Sequence, residues 1–179
     1  MRARLLAAAL TILGRDGPAA FTVRNITDEA GCSTTGVYTW FGSKTALVEA
    51  VFIEGFESFD RTVSPLIAVD LWQTAVAYRS WALSNPTQYL VMFGRAVPDF
   101  QPSDAALERA TESFQHLVDG MAVHGADDPI GAAYHAYASV HGYMMLELVD
   151  LANVGGDPEE LYRAGMARLL MSLQLPERD

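Results

Sequence analysis

The sequence predicts an all-α chain in which three short helices and a connector helix lead into a larger helical bundle. Two observations carry this. Apolar residues recur three and four apart over most of the 179 residues, and nowhere do they alternate with the two-residue period of a strand. Gly17-Pro18, Gly31, Gly42 and Pro65 cut the first third of the chain into short segments, while later segments are longer. Half of the residues are hydrophobic and 19% are charged, which is a globular composition and not a disordered one.

Taken in order, residues 2–15 read as a helix, with Leu6, Leu10 and Leu13 at helical spacing and Gly17-Pro18 ending it. Thr22 caps a second helix, Val23–Ala30, with Ile26 and Ala30 as its inward pair and Gly31 as a left-handed stop. Ser33 or Thr34 caps a third, running to about Phe41. Gly42 stops it, and Ser43 caps a fourth from Lys44 to about Val63, which Pro65 closes. Three short helices within about 40 residues, joined by glycine turns, make a helix-turn-helix unit, though the same signals also suit the start of a generic bundle. Further helices are expected over 68–84, 86–94, 104–124 and 130–151. Loops are expected at 98–102 and 153–156, and a turn at 125–129. Asp157 caps a last helix with Pro158 at its first position and Glu159 and Glu160 in its first turn. The expected division is 1–48 for the helix-turn-helix domain and 49–179 for the rest.

The net charge is −10, which by itself argues against a nucleic-acid partner. The average conceals an asymmetry. Through Lys44 the chain has five basic and three acidic side chains, a net +2. The remainder has seven and nineteen, a net −12. A mildly basic head on an acidic body would face DNA head first. No stretch reaches the ~20 apolar residues that span a bilayer, and the apolar run at 5–13 lacks a cleavage site, so a cytoplasmic protein is expected. The single cysteine, Cys32, leaves no disulfide framework.

The segment from Phe21 to Val51 carries the most specific pattern. It has Thr22-Val23 opening the second helix, Ile26, then Ala30-Gly31, Ser33 near the third helix, Tyr38 followed by Phe41, and Ser43-Lys44 before the next apolar helix. It resembles the N-terminal domain of the TetR family of bacterial regulators. Asn85 to Phe93, and the run Tyr137 through His141-Gly142 to Leu148, resemble a C-terminal subtype of that family marked by a Trp-His-Gly pattern, with Tyr137 where the subtype has Trp. The resemblance implies a regulator that binds an operator in double-stranded DNA as a homodimer and releases it when a small-molecule effector occupies the C-terminal domain. It also implies phosphate contacts for Thr22, Tyr38 and Lys44.

The residues themselves suit DNA. Thr22 at a helix N-terminus offers a hydroxyl and free N–H groups, and Lys44 sets a cation beside a second helix N-terminus. Thr34, Thr35, Gly36, Thr39 and Trp40 form the outer face of the third helix, while Val37 and Phe41 point inward. This face has no Arg, Asn or Gln, the residues of strong bidentate base contacts, and Thr34 stands where most family members are basic. Readout should lean on apolar and shape terms, assisted by Arg2, Arg4 and Arg24.

For the body, a ligand pocket is expected among Tyr78, Trp81, Tyr89, Met92, Phe93, Phe114, Leu117, Tyr137, His141, Met144 and Met145, with plain core packing as the alternative for each. Tyr137 and His141 are its polar handles. The expected ligand is small and largely apolar or aromatic. The last two helices should dimerise: Ala132, Ala133, Ala136, Ala138, Ser139 and Gly142 allow close approach, and Leu161, Met166, Leu169, Leu170 and Leu173 form a stripe.

Two other classes stay open on the residues alone, a helical protein-interaction module and a small enzyme on a helical bundle. Against an enzyme, His116, His124, His135 and His141 do not fall at metal-binding spacing, Ser139 and His141 are two apart and face different directions, and no phosphate-binding glycine loop occurs. No catalytic residue, metal or cofactor is expected.

Overall fold

Helices follow one another through the whole chain, as the apolar periodicity requires. The computed structural model describes residues 1–94, 96–151, 155–173 and 175. It has α1 (Arg2–Asp16), a 3-10 turn (Pro18–Ala20), α2 (Val23–Ala30), α3 (Thr35–Phe41), α4 (Lys44–Ile67), α5 (Leu71–Ser84), α6 (Pro86–Phe93), α7 (Asp104–Val123), α8 (Pro129–Leu148) and α9 (Pro158–Ser172). Among the described residues there is no strand, and no helix is long and apolar enough to cross a membrane.

Local chemistry sets most of the boundaries. Thr22 Oγ1 accepts from Asn25 N at 3.2 Å, Ser43 Oγ from Ala46 N at 3.0 Å, and Asp157 Oδ1 from Glu160 N at 3.0 Å, so each cap satisfies an orphan donor of its helix. Asp128 does the same for α8 through Gly131 N. Gly31 ends α2 at φ 62°, where Cys32 N reaches back to Thr27 O.

Several boundaries differ from the sequence reading. Pro65 does not close α4; the helix continues to Ile67. A proline three residues from a helix end removes a single N–H, and the final turn has tertiary support: Ile67 is buried, and its carbonyl meets His124 Nε2 at 2.7 Å. Helix α5 begins at Leu71 and not at residue 68, because Asp70 caps it through Gln73 N. Helix α8 stops at Leu148, short of 151, because Asp150 turns left-handed at φ 57° and Leu151 N bonds back to Leu146 O. Helix α7 ends one residue early, at Val123, with Gly125 at φ 82°. In the loop expected at 153–156, residues 153 and 154 lie outside the described residues.

The backbone packs as two units. The first holds residues 1–57 and 85–110. Its core includes Leu5, Ala9 and Ile12 of α1, Ile26 of α2, Val37 of α3, Leu47 and Val51 of α4, and Tyr89 of α6. Helix α6 packs closely on both sides. A Cβ on Gly14 of α1 would collide with Thr87 Oγ1, and one on Gly55 of α4 would collide with Met92. The second unit holds residues 58–84 and 111–179. Its core contains Val63, Trp81, Met121, Ala133, Met144, Tyr162 and Met166.

One polar network ties α5, α8 and α9 of the second unit together. Arg79 grips Glu147 with two hydrogen bonds, 3.0 Å from Nε and 2.7 Å from Nη2. It lies 3.5 Å from Glu159, and its guanidinium sits 5.8 Å from the centre of the Tyr162 ring. The Tyr162 hydroxyl donates to Ala75 O at 2.6 Å. The bond to Glu147 raises the Arg79 pKa, against the opposing effect of burial.

Candidate functional site

Helices α2 and α3 are short, and Gly31 allows the chain to reverse tightly between them. Val37 is fully buried beneath α3, while Thr34, Thr35, Tyr38, Thr39 and Trp40 are exposed. Tyr38 and Trp40 are more than half exposed, an unusual state for rings of that size with nothing over them. Gly36 is half-buried, and a Cβ there would stand 3.3 Å from Cys32 Sγ, so tight packing inside the turn accounts for this glycine.

The sequence suggested two separate anion-binding points, at Thr22 and at Lys44. The structure brings them together. Lys44 Nζ donates to Phe21 O at 3.2 Å, and the ammonium lies 5.5 Å from the centre of the Phe21 ring. The charge therefore sits at the N-terminal end of α2, beside its Thr22 cap, and not only at the start of α4. Exposed Arg24, in the first turn of α2, lies 3.9 Å from Asp28. A helix N-terminus, a lysine and an arginine at one corner attract an anion by partial charge and full charge together.

The other bases of the head have internal work. Arg15 pairs with Asp16 at 2.9 Å and Glu29 at 3.1 Å. Arg4 donates to Ala30 O at the C-terminus of α2, and Arg2 lies 3.9 Å from Glu54 and over the Phe41 ring. The Arg24 side chain, 86% exposed, is more open to a base edge than that of Arg2, which is 53% exposed.

The expected ligand residues divide between the units. In the first, Tyr89 is buried and tilts against Phe93 with ring centres 4.8 Å apart. Met92 and Phe93 line a cleft of about 610 Å³. Phe52 of α4, Phe100 and Leu107 add apolar walls, and Asp99 and Gln101 add polar ones. Asp99 takes φ 61°, a left-handed conformation that Asp tolerates better than most residues. Residues 98–102, expected only as a loop, supply several of these walls. The signal was Phe100 between Pro98 and Pro102, a large ring in a segment with no helical period.

In the second unit, Tyr78 and Trp81 are buried edge-on against Phe59 at 5.1 and 5.3 Å, and Trp81 Nε1 donates to Ser58 Oγ. Met144 is fully buried, while Met145 and Leu117 are half-buried. Tyr137 stacks on His141 at 5.6 Å and meets Phe114 edge-on at 6.2 Å. Desolvation raises the Tyr137 pKa and lowers that of His141, which favours the neutral form of both.

Comparison with known proteins fits this arrangement. Residues 5–51 match the family described as bacterial regulatory proteins, tetR family, and residues 71–169 match the tetracyclin repressor-like C-terminal domain. The chain belongs to the TetR family. HTH-type transcriptional regulators of Mycobacterium bovis and Mycobacterium tuberculosis are 25% identical over 115 residues, which is 59% of this chain and 49% of theirs. The chain thus aligns with about half the length of the curated relatives it matches. Among solved structures, a regulatory protein designated SCO4313 superposes with TM-score 0.83 at 23% identity, covering 95% of each chain. PfmR of Thermus thermophilus, a TetR family transcriptional regulator, gives 0.72 at 14%, covering 100% of this chain and 98% of its own. NalD of Pseudomonas aeruginosa, described as the secondary repressor of a multidrug efflux pump, gives 0.70 at 16%, covering 95% and 94%. At these identities the structures establish the TetR fold, an N-terminal helix-turn-helix followed by a helical domain.

Proposed function

We propose that this TetR-family chain is a ligand-responsive, DNA-binding transcriptional regulator, a repressor that a small apolar or aromatic molecule releases from its operator. The observation that carries the reading is the head: a family-matched segment, 5–51, with an exposed α3 face beside a cationic corner of Thr22, Arg24 and Lys44. In functional terms residues 1–48 hold DNA and 49–179 sense and dimerise. Such work is done at the chromosome, in the cytoplasm. Tyr38 and Lys44 contact phosphate, and Thr34, Thr35, Gly36, Thr39 and Trp40 meet base edges. Lys44→Ala tests this directly. It should weaken binding to all duplexes alike and flatten the slope of log affinity against log salt by about one. An unchanged slope would remove Lys44 from the interface.

For the effector, the cleft beside Met92, Phe93 and Phe100 is the favoured site. Its volume lies in the range of small-molecule pockets, and its walls are mostly apolar with a few polar groups. It also borders α6, whose Thr87 packs on Gly14 of α1, so a ligand that displaces α6 strains the head. The stacked Tyr137 and His141 in the second unit are the alternative. A compound library screened by thermal shift separates them. A ligand at a hundred times its Kd stabilises by about 2.7 kcal/mol, or roughly 5–11 °C for a chain of this size. Leu107→Trp, which fills the cleft from an exposed position, should abolish that shift. A shift that survives Leu107→Trp and vanishes in His141→Ala would move the site to the second unit.

Dimerisation through α8 and α9 is supported by an apolar face left open on the single chain. Ile130 and Tyr134 are about two-thirds exposed and Met171 is 72% exposed, with Leu146 and Leu161 partly so. A second copy related by a two-fold axis would cover it.

A further inference from the structure

We infer that α3 reads its operator chiefly through the 5-methyl groups of thymine, with Thr35, Thr39 and Trp40 as the reading side chains. The inference rests on the DNA-binding reading above and goes beyond it by naming the chemical feature of the base that is recognised.

Three observations lead there. First, α3 presents no guanidinium, ammonium, carboxylate or amide side chain anywhere along Thr35–Phe41. Bidentate recognition of guanine by Arg and of adenine by Asn or Gln is therefore absent from this helix. Second, Thr39 Oγ1 donates to Thr35 O at 2.9 Å. That bond spends the hydroxyl hydrogen within the helix. What Thr39 has left for a base is a methyl group and two acceptor lone pairs, with no donor. Third, Thr35 and Thr39 are four residues apart and share an exposed face, and Trp40, 52% exposed, flanks it about 100° further round the helix. Val37, on the opposite side, is fully buried, which fixes this face outward.

The major groove offers such a surface one apolar partner. Guanine, cytosine and adenine show only donors and acceptors there, whereas thymine adds its methyl. Two threonine methyls and an indole ring match that methyl and little else. Charge plays no part in this step; the cationic corner at Thr22, Arg24 and Lys44 supplies register without sequence.

The test uses the full chain and a duplex selected by it from a random library. Each thymine of the half-site is then replaced by uracil, which keeps base pairing and the O4 acceptor and removes only the methyl. Each contacted methyl should contribute about fourfold in affinity, and a pair in one half-site about sixteenfold, with the salt slope unchanged. Thr39→Ser, which keeps the hydroxyl and deletes the methyl, should lose the preference for thymine over uracil at one position. Lys44→Ala should weaken the thymine and uracil duplexes equally. The inference is overturned if uracil at every position leaves the Kd within twofold, or if the uracil penalty persists in full in both Thr39→Ser and Trp40→Ala. A chain that selects no duplex at all overturns the regulator reading, and this one with it.

Discussion

Gly142→Arg should turn the protein into a folded monomer that binds its operator at least a hundredfold more weakly. The glycine lies in the interior of α8, where glycine costs about 1 kcal/mol relative to alanine. Nothing among the described residues accounts for it: a Cβ at Gly142 would meet none of their atoms within 4 Å. Other glycines in these helices have a neighbour that excludes a side chain, such as Tyr143 at Gly165 or Ile67 at Gly120. Gly142 is flanked on its face by Ala138 and Leu146, both exposed. In the proposed dimer, a second copy crossing at this point supplies the missing neighbour. Arginine there blocks the crossing and places a charge in an apolar interface. A monomer reads one half-site and loses the effective concentration that linkage provides, typically a factor of 10² to 10⁴. Light scattering and an operator titration measure both effects. If the face is simply solvent-exposed, the outcome has the opposite sign: arginine, a better helix former, stabilises the chain by up to about 1 kcal/mol, with oligomeric state and affinity unchanged.

Arg79→Met should destabilise the protein by about 3 kcal/mol, read as a loss of roughly 6–12 °C in Tm or from urea unfolding. The Arg79 and Glu147 side chains are only 17% and 16% exposed, so removing the cation leaves a largely desolvated carboxylate without its bidentate partner. The cost is chiefly that of the stranded charge and only secondarily the strength of the pair. Arg79→Met combined with Glu147→Met should therefore recover most of the loss, because both charges then leave together. If the double variant is as unstable as the single one, packing of the Arg79 stem over Tyr162 is the larger contribution.

The helix-turn-helix was legible because its signals are local. Thr22 and Ser43 cap within three residues of themselves, as Asp157 does for α9, and Gly31 needs only its own φ. Pro65 was misread because a proline counts as a helix stop until one knows that His124, 57 residues away, supports the carbonyl of Ile67. The early end of α8 turns on Asp150 adopting a left-handed conformation, which Asp tolerates without announcing it. Lys44 was recognised as a cation near a helix start, but its reach to Phe21, 23 residues back, depends on how α2 and α4 pack. The aromatic candidates illustrate the same limit. Composition identified Met92 and Phe93 along with Tyr78 and Trp81, and only packing separates cleft wall from core. Phe52 and Phe100, which share the cleft, come from segments 48 residues apart, a pairing that no periodicity displays.

A regulator of the kind proposed recognises a two-fold-symmetric site in duplex DNA. Selection from a random duplex library with the full chain, followed by fluorescence anisotropy on the winning sequence at two salt concentrations, tests it most directly. The expected winner is a palindrome whose half-site centres lie about one helical turn apart, bound two chains to a duplex, with affinity that falls steeply with salt. Enrichment of no sequence, with duplex binding no tighter than to random DNA at either salt concentration, would contradict it.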